Sequence, residues 1–204
     1  MTISSQIPHS AKAPSRHFNG MMPILPTTVT PGGELDIISQ RQLVRYALSC
    51  DATSIGHLGL ASESFKLTAA DRSALIETTL TEVNKRVPVF IGVSGPSTRI
   101  AIEFARHAES LGADVLMLGT PYITAPNQEG IRSYIEDVCS SVSVPVILQD
   151  TAVSERLLTP EFTVQLFKDI PNLRFFKADG GDFLEKTALL HELTNNEIEV
   201  IGGL

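Results

Sequence analysis

The sequence predicts an α/β fold with a parallel sheet, of the TIM (β/α)8 barrel type and truncated after about its seventh strand. Three observations carry that expectation. Short apolar runs alternate with segments whose apolar residues recur at helical spacing, from residue 20 to the end of the 204 residues. The runs are nearly continuous, as in Val87-Pro88-Val89-Phe90-Ile91-Gly92-Val93, which is typical of parallel strands buried on both faces. No glycine-rich phosphate fingerprint follows the first run, because Pro31-Gly32-Gly33 is too short to match one, so a doubly wound nucleotide-binding sheet is disfavoured.

In chain order, residues 1–19 are polar, rich in Ser, Pro and His, and without the apolar core of a signal peptide; they are expected to form a disordered arm. Residues 20–204 are expected to form a (β/α) barrel domain lacking the last helices and strand. Met21 to Pro26 reads as the first strand, and Asp36 can cap a helix placing Leu43, Tyr46, Ala47 and Cys50 inward. Ser54 to Gly59 is the second strand. Thr68 with Asp71 is a capping-box start for a helix burying Ile76, Leu80 and Val83. The strand Val87 to Val93 comes next, then a helix through Ala101, Phe104, Ala105, Ala108 and Leu111, with Gly112 at its left-handed end. A strand over Ala113 to Gly119, a helix over about Gly130 to Val142 and a strand over Val144 to Leu148 continue the alternation. Thr159-Pro160-Glu161 supplies a cap, a first-turn proline and a first-turn acid for the next helix. Leu173 to Lys177 is a strand entered from Pro171-Asn172, followed by a helix over about Phe183 to Leu193 and a strand from Ile198.

Composition narrows the partners. Asp and Glu outnumber Lys and Arg by 23 to 16, the net charge is -7, and no Lys/Arg-rich run exists, so nucleic acid is not expected as a partner. No apolar stretch approaches the ~20 residues of a membrane span, and a cytoplasmic protein without membrane contact is expected. Cys50 and Cys139 lack metal or redox spacing and read as buried free thiols.

In a barrel of this type, chemistry sits at the carboxyl ends of the strands. Those positions hold Thr27 and Thr28, the run Gly56-His57-Leu58-Gly59, Ser94, Thr120-Pro121-Tyr122, Gln149-Asp150, Lys177, and Gly202-Gly203. Lys177 is the most informative of them. Desolvation disfavours an ammonium at the end of a buried strand, which is one route to a lysine able to attack a carbonyl. Tyr122 is either a proton relay or an aromatic packed under its loop, and Gln149 and Asp150 must be hydrogen-bonded or solvated at the end of an apolar strand.

The pieces Thr120-Pro121-Tyr122, Pro126-Asn127-Gln128-Glu129-Gly130, Val144-Pro145-Val146-Ile147-Leu148 and Phe176-Lys177-Ala178, with the opening Pro23 to Asp36, resemble the dihydrodipicolinate synthase and N-acetylneuraminate lyase family. The resemblance runs from about Gly20 to Leu204. It implies a class I aldolase-like lyase that holds a small 2-oxo acid such as pyruvate as a Schiff base on Lys177, with Tyr122, Asp150 or a water relaying protons. It also implies a carboxylate clamp at Gly56, His57, Leu58 and Gly59, substrate contacts at Gln149 and Gly202, no metal or diffusible cofactor, and a homo-oligomer, by resemblance a tetramer. Two departures stand out. Ile123 occupies the place of the second aromatic residue that relays protons in members using a tyrosine, and the clamp lacks its two hydroxyls. Gln149-Asp150 in place of Tyr-Asn is similar to the branch of 2-keto-3-deoxy sugar acid dehydratases, such as those acting on 2-keto-3-deoxy-L-arabonate, which moves the expectation from aldol chemistry towards dehydration. The alternative is a non-catalytic remnant or binding module of the same fold.

Overall fold

A computed structural model describes residues 18–121, 126–151, 158–180 and 183–203. The elements alternate in the order α1 Ile37–Ser49, β1 Ile55–His57, α2 Ala69–Val83, β2 Val89–Gly92, α3 Thr98–Leu111, β3 Val115–Gly119, α4 Gln128–Ser140, β4 Val146–Thr151, α5 Pro160–Asp169, β5 Leu173–Asp179, α6 Phe183–Thr194 and β6 Glu199–Gly202. A short 3-10 turn, Ser64–Lys66, precedes α2. The six strands among the described residues pair in parallel in their sequence order. This is the half-curled parallel sheet with helices on its outside that the alternation predicts.

Local chemistry starts the helices where expected. The Asp36 carboxylate accepts from the Ser39 N–H, Thr68 and Asp71 form a reciprocal capping box, and Thr159 caps α5 with Pro160 in its first turn. Gly112 ends α3 at φ 100°, a conformation that a side chain disfavours.

Alternation along the strands divides the core in two. Ile55, Ile91, Leu116, Leu118, Leu148 and Phe176 face the helices, whereas Phe90, Val115, Met117, Ile147, Phe175 and Ile201 fill the inner face. Two glycines of the inner layer have a steric reason. A Cβ on Gly56 would enter the Phe90 ring, and one on Gly92 would strike the Leu58 carbonyl.

Several boundaries differ from the sequence expectation. The expected first strand is a single parallel bridge, Ile24 to Gly56, because Pro23 and Pro26 have no N–H to donate to a ladder. Phe18, assigned to the arm, is buried against Phe90 and Phe175. Ala47 is buried as expected and Leu43 packs against the core, but Tyr46 and Cys50 are exposed and α1 turns Gln40 and Val44 inward in their place, so only Cys139 is a buried thiol. Both β4 and β5 run further than expected, to Thr151 and Asp179. Among the described residues, no helix is long and apolar enough to cross a membrane.

Candidate functional site

The extension of β4 and β5 builds the site. Gln149 pairs with Lys177, Asp150 with Ala178, and Thr151 with Asp179. Successive strand residues face opposite ways, so Gln149, Thr151, Lys177 and Asp179 look inward while Asp150 and Ala178 look towards the helices. The four inward side chains border a cavity of about 610 Å³ that Met22, Ile24 and Leu60 also line.

Within it Lys177 Nζ forms an ion pair with both carboxylate oxygens of Asp179, the two side chains being 12% and 11% exposed. Gln149 Nε2 donates to Asp179 Oδ2 at 2.6 Å. The carboxylate is thereby fixed between an amide and an ammonium. Such a cluster can move a proton on and off the lysine without recruiting a distant group. Gly203 sits directly over it: a Cβ there would overlap both Asp179 and Lys177. Gly202 and Gly203 therefore border the cavity as bare backbone.

The other sequence candidates are placed differently. Asp150 is fully buried on the outer face of β4, where its carboxylate pairs with Lys186 of α6 and accepts from the Leu158 N–H at 3.4 Å. It shares a strand with Gln149 but not a face. His57 also points outward, with Nδ1 2.9 Å from Thr79 Oγ1 and Nε2 buried without a partner among the described residues. Burial, with the nearby Arg72 guanidinium second, lowers the imidazole to about 4, so it is a neutral ring in the helix layer. Gly56 gives its N–H to the Pro23 carbonyl and its own carbonyl to the Leu25 N–H, both at 2.8 Å. Leu58 turns through φ 61° and is buried, and Gly59 packs against Ile24 and Met117. From that loop the cavity meets instead the next two residues, Leu60 and Ala61. Thr27 and Thr28 donate to the Ser62 and Asp36 carbonyls, and Ser94 accepts from the Gly119 N–H, so these hydroxyls hold loops together. Tyr122 and Ile123 lie outside the described residues.

Asp179 is the cavity-lining partner of Lys177 that sequence reasoning missed. The signal was an acid two positions after Lys177, which shares its face only if the strand continues, and the strand had been expected to end at Lys177. Buried Arg72 was missed too: it donates to the Gly92 carbonyl at 2.7 Å and stacks on Phe104 at 3.9 Å, tying α2 to the end of β2 and to α3. Among the described residues no three His, Cys, Asp or Glu side chains gather as a metal site would require.

Comparison with known proteins agrees with this architecture. A 4-hydroxy-tetrahydrodipicolinate synthase of Bacillus subtilis strain 168 is 32% identical over 188 residues, which are 92% of this chain and 64% of that protein. The chloride-inhibited dihydrodipicolinate synthase of Acinetobacter baumannii, solved with pyruvate, superposes with a TM-score of 0.85 at 29% identity over 90% of this chain and 63% of its own. A prophage protein of the dihydrodipicolinic acid synthase family from E. coli K12, also solved with pyruvate, gives 0.86 at 28% identity over 91% and 63%. The chain thus spans somewhat under two thirds of the length of these relatives. With the model of the dihydrodipicolinate synthetase family matching residues 17–203, the chain belongs to that family.

Proposed function

We propose that the protein is a Schiff-base-forming lyase of a small 2-oxo acid, with Lys177 as its nucleophile. The observation that carries this reading is the inward-facing Lys177–Asp179 pair on the wall of the cavity. Asp179 takes a proton from the ammonium, and the neutral Nζ attacks the C2 carbonyl carbon to give a carbinolamine. The carbinolamine oxygen leaves as water after accepting protons, one of them returned by Asp179. The iminium that remains is an electron sink for proton loss at C3 or for cleavage of a carbon–carbon bond. Gln149 orients Asp179 for both transfers, and Tyr122 belongs to the same proposal as a further relay. The backbone at Leu60 and Ala61 replaces Gly56 to Gly59 as the proposed carboxylate clamp, because those two residues border the cavity. Support also comes from the two solved relatives held with pyruvate. A homo-oligomer enters on family resemblance alone.

The finer reading is dehydration of a 2-keto-3-deoxy sugar acid. The carboxylate of Asp179, on the same wall as Lys177, favours it: the group that takes the C3 proton from the iminium can deliver that proton to the departing C4 hydroxyl. Borohydride reduction in the presence of pyruvate, followed by peptide mass spectrometry, tests the parent proposal. The expected result is one adduct on Lys177, absent from Lys177→Ala. A folded protein that traps no pyruvate would replace this reading with the non-catalytic binding module.

A further inference from the structure

The geometry points to Asp150 and Lys186 as positioning residues, a buried ion pair behind β4 that sets Gln149 against Asp179 and Lys177 on the front of the same sheet. The inference rests on Lys177 being the Schiff-base residue. Asp150 is 0% exposed and Lys186 is 4% exposed, and they pair directly across the layer between β4 and α6. Their neighbours along the same faces of the strands and of α6, Leu148, Phe176, Ala178 and Leu190, belong to the apolar outer core, and the carboxylate also accepts from the Leu158 N–H. In such a place a pair of well-packed apolar side chains is often as stable as an ion pair, so net stability alone does not account for two buried charges. What an ion pair adds is direction. A leucine is content in several positions along a helix face, whereas a carboxylate and an ammonium out of water demand one.

That direction reaches the site along two covalent routes. Asp150 is flanked by Gln149 and Thr151, which both border the cavity, and Gln149 touches Asp179 at 2.6 Å. Lys186 lies one helical turn after Phe183, the first residue of α6, which borders the cavity as well. A slide of β4 along β5 would carry Gln149 away from Lys177, and the pairing of Asp150 to a separate element opposes that slide. The β4–β5 ladder departs from regular register between Val146 and Ile147, below Gln149, so the pairing of Asp150 with α6 holds the part of β4 that follows this irregularity. Displacements of this kind, of about 1 Å, cost on the order of 100-fold in rate.

The test compares charge-free and charge-keeping variants. Asp150→Leu combined with Lys186→Met removes both charges without leaving one unpaired. With pyruvate and borohydride, the rate of adduct formation at saturating pyruvate is expected to fall about 10- to 100-fold while the thermal midpoint stays near that of the parent. The pyruvate concentration giving half-maximal rate is expected to change less than threefold, because the groups that meet pyruvate remain. Lys186→Arg keeps the charge and is expected to stay within threefold of the parent rate. Parent-like rates in the double variant would overturn the inference and leave the Schiff-base proposal standing. Should the double variant fail to fold, Asp150→Asn, which keeps the shape and removes the carboxylate charge, decides: a folded protein that traps pyruvate at the parent rate shows that the charge sets nothing and overturns the inference. No adduct in the parent protein would sink both.

Discussion

Lys177 and Asp179 stand two residues apart on the inner face of β5, ammonium against carboxylate, with Gln149 of β4 bonded to the same carboxylate from the side. The spacing of two is what a strand needs to put both on one face, and the parallel neighbour supplies the amide at the matching height. Asp179→Asn keeps the shape and removes the proton acceptor. The rate of borohydride-trapped pyruvate adduct at neutral pH is expected to drop by about 100-fold or more, with Asp179→Glu retaining part of it. Equal rates for Asp179→Asn and parent would show that another group handles the proton.

Gly203 tests the same cluster from above. A Cβ at this position would overlap the Asp179 carboxylate and the Lys177 ammonium, both of which are side-chain ends that can swing aside. The expected result of Gly203→Ala is therefore a displaced ion pair in an intact fold. Adduct formation is predicted to slow by about 10-fold or more, with a change in unfolding free energy of under about 1 kcal/mol. Loss of stability with unchanged adduct rate would place the strain in the backbone instead.

His57 gives the protein an acid-sensitive element in its helix layer. Burial, helped by Arg72, lowers its imidazole from 6.5 to about 4. The unfolded chain then binds a proton between those pH values that the folded chain refuses. Stability from the neutral ring is complete above about pH 6.5, falls as pH drops towards about 4, and is flat below. The full loss is roughly 3 kcal/mol. Urea midpoints at pH 7 and pH 4.5 should therefore differ more in the parent than in His57→Gln; parallel pH curves would sink the assignment.

Legibility of the chain followed periodicity and local caps. Asp36, Thr68, Gly112 and Thr159 announced helix ends through chemistry confined to a few residues, and each serves as expected. Lys177 was legible because a cation inside an apolar run is costly without a purpose. Faces were not legible where a run's end was misjudged. Ending one strand at Lys177 hid Asp179, and treating Gln149-Asp150 as a terminal pair put both in the site, although two consecutive strand residues never share a face. The outward histidine was hidden for a related reason. His57 occupies a strand-end position, yet its inward neighbour is Gly56, whose missing side chain makes room for Phe90.

Phe18 is where local composition misleads most, since a polar, proline-containing neighbourhood hides a core residue. Its ring lies 4.8 Å from that of Phe175 and 6.1 Å from that of Phe90, and the side chain is 7% exposed. It seals the inner layer of Val115, Met117, Ile147 and Ile201, which the curl of six strands alone does not fill. Phe18→Ala removes a ring from a packed cluster and is predicted to cost about 3 kcal/mol or more in urea unfolding. Phe65→Ala, at a ring 58% exposed, serves as the comparison and is expected to cost under about 0.5 kcal/mol. Equal, small costs at both positions would return Phe18 to a loose arm. A large cost at Phe18 should also slow pyruvate trapping, because Phe175 is the next inward-facing residue below Lys177 on β5 and loses its support.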